Sequence, residues 1–151
     1  MSINSTKIPV LASRLDLLEV SSSIGTLPRV GAVACPCLNV SEAKALVSVV
    51  DQLEYRPAKA KTGSDNAPVY QDFDLCYDVP SGHSLWEFAQ VIEQALTSAL
   101  AGAEVDSECY PLRLNDLIVQ RYPPGCAGIT PHRDHVRYGF LIAIILLTGD
   151  G

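Results

Sequence analysis

The sequence predicts an α+β fold in which amphipathic helices come first and a sheet follows. Two stretches, 41–53 and 84–101, carry apolar residues at helical spacing. After Pro111 the chain turns to runs of Ile, Val, Leu and Tyr divided by Pro and Gly, as strands require. Size supports one domain: 151 residues, 48% hydrophobic, can bury roughly 68–70% of the unfolded surface without a disulfide or metal staple. Within a single domain spanning 1–151, residues 1–110 are expected to form helical and loop support. Residues 111–151 are expected to supply the first strands.

Taken in order, Met1 to Lys7 reads as a frayed tail. From Ile8 to Cys37 the breaks at Pro9, Gly25, Pro28, Gly31 and Pro36 suit short strands and turns. The helix over 41–53 rests on Ala45, Leu46, Val49, Val50 and Leu53, with Asn39 or Ser41 as its cap. If Asn39 is the cap, Glu42 stands in the capping-box position. Pro57 to Tyr70 then reads as an exposed loop. The second helix begins at Ser84, paired with Glu87 as a capping box, and its stripe is Leu85, Phe88, Ala89, Ile92, Ala95, Leu96 and Ala99. Gly102 ends it.

Strands are predicted at Leu117 to Tyr122, Gly128 to Asp134 and Gly139 to Leu147. The run Phe140 to Leu147 is apolar at every position, so its period fits a buried helical turn or a strand covered on both faces. Its eight residues, held between Gly139 and Gly149, favour the strand. Both helical stripes are wide enough to need a partner layer, and the sheet after Pro111 is the expected one.

Seventeen acidic against eleven basic side chains, a net charge of -6, argue against a nucleic-acid partner. The tight cationic cluster of Arg56, Lys59 and Lys61 reads as a solvated loop. Cys35, Cys37, Cys76, Cys109 and Cys126 show no paired CxxC spacing and read as reduced thiols. The Met1 end lacks the pattern of a signal peptide. The longest apolar run, eight residues, falls short of the roughly twenty that span a bilayer. A cytoplasmic protein without a membrane segment is expected.

Chemistry concentrates in Tyr122 to His135, YPPGCAGITPHRDH. His132 and Asp134 are two apart in a segment expected to be extended, so alternation puts both side chains on one face and Arg133 and His135 on the other. One imidazole and one carboxylate then converge without long-range folding. That pairing fits two legs of a 2-His-1-carboxylate triad, which leaves positions open on Fe(II).

This stretch resembles the 2-oxoglutarate and Fe(II)-dependent dioxygenase superfamily, through Tyr122, Gly125, His132, Asp134, Leu147 and Gly149. Its prolyl-hydroxylase-like and alkylation-demethylase-like branches are the most similar. The latter carries Asn where this chain has Gln120, and its Tyr-to-His interval is one residue shorter. The resemblance implies the N-terminal part of a double-stranded β-helix, or jelly roll, with supporting helices packed on the sheet. It implies Fe(II) held by His132 and Asp134, with 2-oxoglutarate as cosubstrate. Tyr122 is either a hydrogen-bond partner of that cosubstrate or an aromatic packed on the sheet with a locally satisfied hydroxyl.

The family's distal histidine, and its Arg or Lys for the far carboxylate of 2-oxoglutarate, would fall past Gly151. The chain is thus expected to be a fragment of a longer enzyme or a truncated product with weak iron binding. Neither His83 nor His135 suits the third ligand position. The implied substrate is a small molecule or a protein side chain. Two other readings stand beside the oxygenase: a non-catalytic jelly-roll module with a vestigial site, and a zinc or hydrolytic site of His132, His135 and Asp134.

Overall fold

The computed structural model describes residues 22–23, 25–26, 31–101, 112–134, 138 and 141–149. Expectations for the 1–7 tail, Gly102, Cys109, His135, Gly139 and Phe140 lie outside them. Residues 22–23 and 25–26 are helical, where short strands and turns are expected, and residues 32–39 carry neither helix nor ladder.

Helix α1 spans Val40–Val50 and is capped by Asn39. The Asn39 side chain accepts from the Glu42 amide at 3.0 Å, and the Glu42 carboxylate accepts from the Asn39 amide at 2.8 Å. This reciprocal box satisfies two end donors. The expected end at residue 53 is replaced by a tighter turn, in which Gln52 and Leu53 donate to the carbonyls of Val49 and Val50. Leu53 still packs on the core.

Helix α2 spans Ser84–Ala101, as the stripe predicts. Its cap is His83 rather than Ser84, because His83 Nδ1 accepts from the Leu85 amide at 3.3 Å. A ring nitrogen can serve where the sequence suggested a hydroxyl.

The first correction concerns residues 57–70. In place of a loop they form most of a β-ribbon: β1 (Arg56–Pro57), β2 (Lys61–Ser64), β3 (Ala67–Asp72) and β4 (Asp74–Cys76). Strand β5 (Val119–Arg121) and strand β6 (Gly128–Ile129) follow α2. Among the described residues, four of the six strands therefore precede α2, where helices first and sheet after were expected. The strands make two antiparallel three-stranded sheets, ordered β1-β4-β5 and β2-β3-β6. Strands β3 and β4 are consecutive, separated only by Phe73, so one stretch of chain serves both sheets.

The second correction concerns the strands after Pro111. Leu117 to Tyr122 contracts to Val119–Arg121, and Gly128 to Asp134 to Gly128–Ile129. Residues 141–147 carry no ladder, and Ile142, Ile144 and Leu146 are exposed. Ile145 and Leu147 face the main core and Leu141 the smaller one. A strand covered on both faces needs a layer on each side, and here the core lies on one.

Both helical stripes meet in one cluster, built from Leu46, Val49 and Val50 of α1, Leu85, Phe88 and Ile92 of α2, and Cys76 and Val79. Leu114, Leu117 and Val119 pack against it, so residues after Pro111 do contribute to the partner layer. A smaller cluster joins Ala99, Leu100 and Leu112. Glu93 of α2 anchors the entry to β5, since its carboxylate accepts from the Leu114 amide at 2.7 Å and pairs with Arg113 at 3.0 Å. Among the described residues Cys35, Cys37, Cys76 and Cys126 carry free thiols. Among the described residues no helix is long and apolar enough to cross a membrane.

Candidate metal centre

The segment that carries His132 and Asp134 is placed by the β3–β4 stretch. On one side of Phe73, Asp74, Leu75 and Cys76 pair with Arg121, Gln120 and Val119. On the other, Gln71 and Asp72 pair with Ile129 and Gly128. The intervening turn, 122–127, crosses from one sheet to the other. Asp72 pins it, since its carboxylate accepts from the Ala127 amide at 2.7 Å. Arg121 secures the other end through Asp74 at 3.2 Å and by lying 4.1 Å over the Tyr55 ring.

Beyond β6, in a segment that carries no strand, His132 and Asp134 lie close together: His132 Nε2 is 3.6 Å from Asp134 Oδ1. The imidazole is further defined by its other nitrogen, which lies 2.9 Å from the Thr130 carbonyl oxygen. A carbonyl only accepts, so Nδ1 carries the hydrogen, and in the neutral ring the lone pair is on Nε2. Two electron-rich atoms then face each other. Only a proton on Nε2 or a cation held jointly relieves that arrangement. The Asp134 side chain is 57% exposed and that of His132 29%, so the pair is open to solvent and to ligands.

This donor set, one imidazole nitrogen and one carboxylate oxygen, fits Fe(II) or another borderline divalent ion as two of its ligands. Among the described residues no group of three or more His, Cys, Asp or Glu side chains converges. His83 is committed to the α2 cap through Nδ1. His135, the second imidazole of the zinc reading, lies outside the described residues.

Tyr122 closes the sheet seam. Its ring stacks on Phe73, and its hydroxyl donates to Gln120 Oε1 at 3.1 Å. Burial pushes the Tyr122 pKa up, with Cys126 adding in the same direction, so the hydroxyl keeps its proton and remains a donor. The geometry is that of the packed aromatic with a local partner.

Sequence reasoning missed Thr130 and Asp72. Neither stands in a recognisable motif, and the bond that gives each its role reaches a partner distant in the chain. The signal available was only a hydroxyl-bearing residue two before His132.

No known family, curated protein or solved structure matches the chain.

Proposed function

We propose that this chain carries two metal ligands of an Fe(II)- and 2-oxoglutarate-dependent dioxygenase, an oxidoreductase whose core is a jelly roll. One observation carries the reading: His132 presents Nε2, its Nδ1 already committed, to the Asp134 carboxylate at 3.6 Å. Outer partners of this kind are what orient metal-ligating imidazoles. The antiparallel strands on either side of the 122–127 turn are compatible with the first strands of a jelly roll.

In this reading His132 and Asp134 would hold the metal, which when bound with 2-oxoglutarate supplies the oxidising chemistry for hydroxylating a C–H bond with dioxygen. The chain's own residues do the positioning. Thr130 orients the imidazole, Asp72 fixes the turn, and the half-exposed Tyr122 ring borders the start of β6, 3.9 Å from where a Gly128 Cβ would lie. The substrate class is a small molecule or a protein side chain.

Anaerobic calorimetry with Fe(II) tests this. The wild-type chain should bind Fe(II) weakly, His132→Ala and Asp134→Ala should each lose that binding, and any 2-oxoglutarate binding should require the metal. Fe(II) binding unchanged in His132→Ala, or tight 2-oxoglutarate binding without metal, would overturn the reading. A folded wild-type chain that takes up no Fe(II) would favour the non-catalytic module instead.

A further inference from the structure

The pairing of β3 with β6 ends in an irregular step whose chemistry points at His132. The register Asp72 with Gly128 and Gln71 with Ile129 continues to Tyr70 opposite Thr130. Two such residues in a hydrogen-bonded antiparallel pair exchange both N–H···O=C bonds. Here the Thr130 amide does donate to the Tyr70 carbonyl at 3.1 Å. The returning bond is different: the Tyr70 amide donates to the Thr130 hydroxyl, Oγ1, at 3.1 Å. The Thr130 carbonyl, turned out of the ladder, instead faces His132 Nδ1 at 2.9 Å.

We propose that Thr130 is a positioning residue whose hydroxyl replaces its own carbonyl in the ladder, so that the carbonyl can select the Nδ1–H tautomer of His132 and aim Nε2 at Asp134. The substitution needs a side-chain acceptor one bond from Cβ, which Thr and Ser supply. Valine, of the same shape, supplies none. Its carbonyl would be drawn back to the otherwise unpaired Tyr70 amide, because leaving that donor unmade is costly. His132 would then lose the partner that defines its ring. The tautomer selection stands by itself, whereas its consequence for metal affinity rests on the proposed function above.

The experiment reads both in the full 151-residue chain. Long-range proton–nitrogen spectra of the metal-free protein at about pH 8 identify which imidazole nitrogen of His132 is protonated. The wild type and Thr130→Ser should show Nδ1–H, and Thr130→Val should shift toward Nε2–H or a mixture. Anaerobic Fe(II) titration should give affinity about tenfold weaker in Thr130→Val and near wild type in Thr130→Ser. An Nε2–H ring in the wild type overturns the proposal even if no variant folds, as does an unchanged Nδ1–H ring in Thr130→Val. If His132→Ala binds Fe(II) like the wild type, the metal reading fails while the spectra still judge Thr130.

Discussion

Phe73 stacks on Tyr122 with ring centroids 4.9 Å apart and planes inclined by 29°. Phe73 is the single residue between β3 and β4, and Tyr122 follows directly on β5, so the contact ties the seam of the two sheets to the turn that leads toward His132. Phe73 is 4% exposed. Replacing it with Ala should cost about 3–5 kcal/mol, read by urea unfolding. Tyr122→Phe keeps the stack and gives up only the exposed bond to Gln120, and should stay within about 0.5 kcal/mol of wild type. Similar losses in both would deny the stack its role.

The two halves of the apolar inventory should respond in opposite ways. Leu46, 1% exposed among both helices, should lose about 2–5 kcal/mol on Leu46→Ala. Ile144, 86% exposed, should lose under about 0.5 kcal/mol on Ile144→Ser. A large loss at Ile144, measured in the same denaturant series, would mean that the 141–147 segment is covered.

The hairpin that replaces the expected loop depends on Gly63. Its φ of 78° is left-handed, and an added Cβ would run into the Ala67 carbonyl oxygen. Gly63→Val should destabilise the chain by about 1–3 kcal/mol and raise amide exchange in β2 and β3, with α1 and α2 protected as before. Unchanged exchange at Thr62 and Val69, which face each other across the hairpin, would contradict this.

Cys37 supplies part of the alkaline pH dependence, beside Tyr55 and Tyr122, which burial also pushes up. Burial pushes its thiol above the ordinary 9.0, and Cys35 and Glu42 add in the same direction. The folded chain thus favours the protonated thiol. That contribution to stability is complete below 9.0 and is lost as pH rises through the raised value. Thermal midpoints should fall less in Cys37→Ser than in wild type between about pH 8 and pH 10.5. Equal falls would leave the alkaline loss to Tyr55 and Tyr122 and remove Cys37 as a contributor.

The two long helices and the closeness of His132 to Asp134 were legible locally, because each depends on neighbours within a turn or two. The α2 stripe needs only the helical period, and the α1 cap needs only Asn39 and Glu42 three residues apart. His132 and Asp134 are two residues apart and meet at 3.6 Å in a segment that carries no strand, so the closeness is local although the strand expected to produce it is not there. The remaining elements rest on contacts between distant segments. The 61–72 hairpin carries few apolar residues, and its order comes from backbone bonds to its own return strand and to β6. The Phe140 to Leu147 run reads as buried by composition, yet Ile142, Ile144 and Leu146 are exposed because the core lies on one side of it. Thr130 orients His132 only because the Tyr70 amide, sixty residues earlier, reaches its hydroxyl, and a contact of that span has no local signature in a sequence.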